Sequence, residues 1–303
     1  TAATLRAICA THARLGTTGL LPTLITDTAQ ATARVIQAGF DCIGAPGFLG
    51  LHLEGPHLDP LRKGAHDPAL IRPMGDADID MLIDAAGRLP ALMVTVAPCA
   101  VRADQITALA AAGAVVSLGH TDCTYAEGVA AIAAGARCAT HLFNAMSQLG
   151  NREPGLVGAV LSHDIAAGVI ADAIHVAPVV LRIAASVRPE GLFLVSDCMA
   201  AAGTDSTEFL LGSRRILRRN GRLTLEDGTL AGADLSLPQA VAVMVHAVGL
   251  TTERALAMAT RIPAQLIKRD DLGHLISGAR ADLVHLSDEF QLKSVWQGGE
   301  KRL

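Results

Sequence analysis

The chain has 303 residues, half of them hydrophobic and 18% charged, so one large domain or two ordinary ones with a sizeable core can form. With a net charge of −4 and basic residues scattered along the chain, nothing suggests a nucleic-acid or lipid surface, and no apolar run reaches membrane-spanning length. Six cysteines without a CxxC pair fit free thiols in a reducing cytoplasm better than a disulfide framework.

In chain order, short apolar runs alternate with Ala-rich helical patterns. The runs "GLLPTLIT" (19–26), "GFLGLHLE" (47–54), "ALMVTVA" (91–97), "AVVSLGH" (114–120), "RCATHLF" (137–143), "AAGVIAD" (166–172) and "GLFLVSD" (191–197) predict seven buried strands. Helices are predicted between them, as in "TAQATARVIQAG", "TYAEGVAAIAAGA" and "HVAPVVLRIAAS", and again at about 236–248 and 251–268. This alternation predicts an α/β protein with a parallel sheet, spaced as in a (β/α)₈ TIM-like barrel. Seven strands are one short of a barrel, and the first residue is Thr1, so the first barrel strand is expected to precede this sequence. "FLLGSRRILRRNGRLTLEDG" has an Asn-Gly turn flanked by alternating residues and predicts a hairpin at about 207–228. "GARADLVHLS" predicts a strand outside the barrel repeat. The expected organisation is a barrel over 1–277, with 278–303 the C-terminal part of a small β subdomain.

Functional groups of such barrels sit at the C-terminal ends of strands. Here those ends offer Glu54, His120, His141, Asp172 (with His175 just beyond) and Asp197. A single histidine in such a place is more often a hydrogen-bonded structural residue, and a single carboxylate is often a helix cap. Helix capping does not require Glu, His, His and Asp at successive mouths of one barrel. Together they suit a borderline divalent cation such as zinc or iron. "RKGAH" (62–66) and "FNAMSQLGNREPG" (143–155) are polar Gly-bearing loops that could meet an anionic or polyhydroxyl ligand through Lys63, His66, Asn144 and Arg152. Lys63 and Arg152, taken singly, read as solvated surface charges. His12, His57, His163, His246, His274 and His285 read as ordinary core or surface residues.

Nine stretches occur in order: "GTTGLLPTLITD", "GLHLEGPHLDPLRKGAH", "LGHTDCTYAEG", "THLFNAM", "REPGLVGA", "IADAIHV", "VSDCMAAAG", "DGTLAG" and "GARADLV". In them the chain resembles the N-acetylglucosamine-6-phosphate deacetylase family of the amidohydrolase superfamily over nearly its whole length. The resemblance implies that Glu54, His120 and His141 bind one divalent metal, zinc first and iron second, and that Asp197 is the acid–base. It implies sugar-phosphate contacts from Ala65, His66, Asn144, Ala145, Arg152, Asp172 to His175, and Leu230, Ala231 and Gly232. It also implies a homodimer in which Arg152 reaches the neighbour's phosphate. His175 is the expected oxyanion partner beside Asp197. His57 stands where the family often has an aromatic, and Cys198 where it often has Ala. The strand at 91–97, fourth in the barrel once the absent first strand is counted, runs into Ala97-Pro98 and offers no lysine to bridge two metals. Some relatives carry extra ligands on the first strand and bind two metals, so the resemblance leaves the number of ions open, as it does the gluco or galacto epimer. The other readings are a different amidohydrolase reaction and a silent sugar-phosphate-binding protein. Retention of all three ligands and Asp197 argues against the last.

Overall fold

The computed structural model describes all 303 residues. They divide into two compact units, one formed by 1–8 and 20–168, the other by 9–19 and 169–303.

In the first unit, parallel strands follow the chain: β1 (Thr23–Ile25), β2 (Leu51–Glu54), β3 (Leu92–Val96), β4 (Val115–Leu118), β5 (Cys138–Ala139) and β6 (Ala166–Val169). Helix α1 (Ala2–Arg14) belongs to this unit only as far as Ile8, and the helices that alternate with the strands are α2 (Ala29–Phe40), α3 (Asp76–Arg88), α4 (Ala103–Ala111), α5 (Tyr125–Ala134) and α6 (Gly155–Ser162). The predicted strands are all present but shorter than their apolar runs. Thr28 caps α2, its hydroxyl accepting from Ala31 N–H at 3.2 Å. Thr124 and Glu127 form a capping box that starts α5. Each cap starts a helix soon after the preceding strand end and keeps the strand mouths close to it.

Side chains alternate along each strand. Leu51, Leu53, Val94, Val96, Val116 and Leu118 are all but fully buried, and each large aliphatic contributes about 1.5–3 kcal/mol by leaving water. The other face of β2 carries His52 and Glu54. Register aligns Glu54 with Ile25 on one side and with Thr95 on the other, and Thr95 with Ser117. A polar row therefore crosses a sheet whose opposite face is aliphatic.

In the second unit, Val169 at the end of β6 accepts from Val195 N–H at 3.1 Å, just past β7 (Leu192–Leu194), so the order β1 to β7 follows the chain. Helices α7 (Pro178–Val187), α8 (Leu237–Val243), α9 (Thr252–Ala259) and α10 (Arg261–Leu266) complete its helical part, with α8 continuing into a π-helical turn over Met244–Val248. The predicted hairpin is the middle of a four-stranded antiparallel sheet: β8 (Glu208–Leu211), β9 (Arg214–Arg219), β10 (Arg222–Thr224) and β11 (Leu230–Ala233). Strand pairing continues to Ala233, beyond the 207–228 read from the sequence. Asn220 and Gly221 have φ of 51° and 71°, the pair of positive values that a tight two-residue hairpin turn requires. The tail forms a three-stranded sheet of β12 (Leu283–Leu286), β13 (Leu292–Gln297) and β14 (Glu300–Lys301).

Candidate metal centre and acid–base residues

Glu54 ends β2, His120 stands two residues past β4, and His141 two residues past β5. All three are buried, and one donor atom from each lies within 4.8 Å of the others. Glu54 Oε1 is 3.2 Å from His120 Nε2 and 3.1 Å from His141 Nε2, and the two Nε2 atoms are 3.1 Å apart. His120 Nδ1 lies 2.8 Å from the Arg62 carbonyl, which can only accept, so Nδ1 carries a proton and, in the neutral ring that binds a metal, Nε2 presents its lone pair. That lone pair, a carboxylate oxygen and a second Nε2 thus converge in a buried space. A positive charge among them resolves the crowding. This donor set fits a divalent cation, and the carbonyl behind His120 is the kind of support that metal-binding imidazoles use.

Burial alone would raise the Glu54 carboxyl. The hydrogen bond and charge of His120, with hydrogen bonds from His141 and His66, nevertheless hold it well below the usual carboxylate range. His120 and His141 have φ of 46° and 30°, in the left-handed region that costs a non-glycine residue about 1–3 kcal/mol. Surrounding contacts hold them there. Asp59 N–H donates to the His120 carbonyl at 2.9 Å, and Asn144 N–H donates to that of His141 at 2.9 Å.

His66 joins the same cluster. Its Nδ1 receives the Thr26 backbone N–H at 3.3 Å, so the proton of the neutral ring lies on Nε2. That Nε2 faces Glu54 Oε2 at 3.7 Å, and the ring meets His120 edge-on with centroids 4.3 Å apart. Burial lowers the affinity of His66 for a second proton. His120 thus offers a lone pair, whereas His66 offers an N–H. Gly64 (φ 55°) lets the 62–66 loop pass this close, since a Cβ there would lie 3.3 Å from His120 Cε1.

Two supporting arrangements were not among the sequence expectations. His52 bridges Thr23 Oγ1 at 3.0 Å and Thr95 Oγ1 at 2.7 Å, and the chain continues through Thr140 to Ser117, each step 2.6 Å. Burial pushes the His52 imidazole down to about 4, so it stays neutral at pH 7. The period-two pattern that puts His52 on the face of Glu54 was the available signal. In the second arrangement, Arg72 N–H donates to the Pro56 carbonyl at 3.0 Å and the Arg72 carbonyl accepts from His57 Nδ1 at 3.1 Å. The Arg72 guanidinium is clamped on Asp78 by bonds of 2.5 and 2.6 Å. The turn after Glu54 is thereby strapped down, and His57 is a buried structural residue.

In the second unit, the Asp172 carboxylate accepts from the Ile174 and His175 N–H groups, both at 2.8 Å, and from His175 Nδ1 at 2.6 Å. Burial opposes its ionisation, but these donors, His175 first, hold its carboxyl below the ordinary value. The carboxylate is occupied in orienting His175, whose Nε2 points the other way along the ring. Asp197, past β7, has a φ of 47°, and its carbonyl accepts from Ala233 N–H at 2.8 Å. Gly232 makes that approach possible, because a Cβ there would lie 2.8 Å from the Asp197 carbonyl oxygen. Leu230, Ala231 and Gly232 therefore lie on β11, the strand that runs beside Asp197.

Of the remaining expected contacts, Ala65 precedes His66 on its loop. Asn144 donates its side-chain amide to the His141 and Leu142 carbonyls at 3.3 Å, and the Ala145 carbonyl (φ 49° at Ala145) accepts from Thr121 N–H at 3.1 Å. Arg152 and Lys63 are exposed. No helix is long and apolar enough to cross a membrane.

The model of the amidohydrolase family matches residues 1–302. The chain is 39% identical over 302 residues to N-acetylgalactosamine-6-phosphate deacetylase of Shewanella sp. (strain ANA-3), covering 98% of this chain and 76% of that protein. It is 35% identical over 299 residues to N-acetylglucosamine-6-phosphate deacetylase of Rattus norvegicus, covering 94% and 73%. The crystal structure of N-acetylglucosamine-6-phosphate deacetylase from Pasteurella multocida superposes with a TM-score of 0.96 at 33% identity, over 99% of this chain and 80% of that one. The expected α/β fold of the metal-dependent hydrolases is thus the fold of this chain, which shows seven parallel strands in one sheet.

Proposed function

Because this chain belongs to the amidohydrolase family, we propose that it hydrolyses the acetamide of N-acetylglucosamine 6-phosphate to glucosamine 6-phosphate and acetate. The observation that carries the reading is the buried Glu54–His120–His141 triangle, with the proton of His120 fixed on Nδ1. The Shewanella relative, at 39% identity, favours the galacto epimer as a second substrate to compare.

Glu54, His120 and His141 hold the cation, with zinc first and iron second for this ligand set. When bound, a divalent cation supplies Lewis-acid charge that lowers the pKa of water from about 16 toward ~7. Asp197 takes the proton from the attacking water and returns it to the leaving nitrogen, because an amine anion is too basic to depart. His175, oriented by Asp172, and the Nε2–H of His66 are the donors for charge developing on the carbonyl oxygen. Ala65, Asn144, Ala145 and Leu230 to Gly232 line the sugar. Arg152 is exposed and forms no ion pair, and in a homodimer it meets the phosphate of the neighbouring subunit's substrate. Six cysteines, none in a disulfide, support a reducing cytoplasm.

The test is acetate release from a panel of N-acetylhexosamine 6-phosphates by metal-loaded protein, with metal content measured on the same sample. The reading predicts turnover on the gluco compound and a stoichiometric metal. A metal-replete protein that releases no acetate from either epimer overturns it.

A further inference from the structure

The segment "RRILRRNGRL" puts five arginines in nine positions, from Arg214 to Arg222. Its strands face each other in register, with Leu217 opposite Thr224, Arg218 opposite Leu223 and Arg219 opposite Arg222. The paired positive φ values at Asn220 and Gly221 make the turn tight enough to bring the two flanking arginines directly across from one another.

Their neighbours on the same sheet are neutralised. Arg215 pairs with Glu208 and Glu226, and Arg218 grips Asp234 through two bonds of 2.8 and 2.9 Å. Arg219 and Arg222 form no ion pair, although like charges directly opposite one another destabilise a strand pair. Alternation places Thr224 on the face of Arg222. Arg219, Asn220, Arg222 and Thr224, together with Ile174, line an open cavity of about 470 Å³. Two guanidinium forks, a side-chain amide and a hydroxyl can all donate into it, Ile174 forms an apolar wall, and no carboxylate lines it.

We propose that this hairpin tip is a binding site for a phosphate group, with Arg219 and Arg222 clamping the dianion from opposite strands. Planar guanidinium forks match phosphate oxygens two at a time. A dianion between them removes the cross-strand repulsion that the sequence otherwise leaves standing. Free orthophosphate and the phosphate of a sugar ester share this chemistry. The inference does not rest on the hydrolytic reading.

The experiment follows the backbone amide signals of Asn220 and Gly221 by NMR in the intact, metal-loaded protein. Sodium phosphate, glucosamine 6-phosphate and unphosphorylated glucosamine are titrated at constant ionic strength. A local signal separates this site from anions bound at the metal. Both phosphates are expected to give saturable shifts, and glucosamine none. Tighter binding of the ester names sugar phosphates as the occupant, and equal binding names free phosphate; both support the site. The double variant Arg219→Gln/Arg222→Gln should weaken phosphate at least tenfold, while Arg215→Gln, which removes a charge already paired, stays within twofold. Circular dichroism confirms that each variant keeps its fold. Unchanged affinity in the double variant, an equal loss in Arg215→Gln, or an equal shift with glucosamine overturns the proposal.

Discussion

Replacing Glu54 by Gln separates a metal ligand from a structural residue, because the two roles predict opposite patterns with and without metal. The side chain is only 7% exposed and its carboxylate faces three imidazoles. Without metal, an ionised carboxylate there has been taken out of water and held by shared protons. Removing one partner of a buried ion pair costs about 3–5 kcal/mol when the other charge is left stranded, but here the imidazoles can shed their protons and leave no charge behind. With no charge stranded, what changes is the hydrogen bonding of neutral groups, and the metal-free variant is expected within about 1 kcal/mol of the metal-free parent. With metal, the change removes an anionic ligand. Losing an outer-shell partner alone costs 10–100-fold in metal affinity, so ~100-fold is a lower bound for a direct ligand. In zinc well above both dissociation constants, that ratio appears as about 2.7 kcal/mol less stabilisation.

Denaturant unfolding of parent and variant, in zinc buffer and in chelator, gives all four values. The expected pattern is a deficit of roughly 2.7 kcal/mol or more that appears only in zinc. An equal deficit in both buffers would make Glu54 a structural residue. No deficit in either would remove it from the ligand set.

Three further outcomes are expected. Asp197→Asn should keep metal content near the parent value and lose at least ~100-fold in turnover, as for a removed acid–base; near-parental turnover would shift the role, with His175 examined next. Arg152→Ala should raise KM strongly for the phosphorylated substrate and little for the plain sugar, and mixing it with Asp197→Asn should restore activity by building one complete site per mixed dimer. Equilibrated mixed dimers without recovered activity would refute its reach into the neighbour. Asp78→Asn tests the strap behind the Glu54 turn. The hydrogen bond from Arg72 holds the Asp78 carboxyl below its ordinary value. A depressed folded-state pKa gives stability that is fully present above the unfolded value near 4 and is lost as pH falls through the folded value. With Arg72 partly in solvent, about 1–2 kcal/mol is expected at pH 7, and the gap between variant and parent should close toward pH 3. A gap that is constant with pH would mean that the charge on Asp78 contributes nothing.

The seven strands were legible because strands buried on both faces read as unbroken apolar runs. Their ends were less so. The predicted 137–143 run contains only Cys138–Ala139 as strand, since the chain turns away with His141 in the left-handed region. Nothing in local propensity places a histidine there. Helix α1 is not among the predicted elements, because it precedes the first strand of the strand–helix repeat. His66 was read as a sugar contact from its loop. Its place at Glu54 depends on the Thr26 N–H, forty residues away in the chain, and no spacing rule carries that.

Gly232 shows the same limit from the other side. A glycine in "TLAGA" reads as a turn, yet it lies within β11 because any larger residue would strike the Asp197 carbonyl. The places where local rules failed are thus concentrated on the proposed machinery: His120, His141 and Asp197 all have positive φ, and Gly232 permits the contact behind Asp197. Strain of about 1–3 kcal/mol at each of the three persists only where neighbours enforce it. Here the enforcing contacts are backbone hydrogen bonds from Asp59, Asn144 and Ala233. A chain that needed only to fold would relieve these positions with glycine or asparagine. Histidine and aspartate there mean that the direction in which the side chain points outweighs the comfort of the backbone.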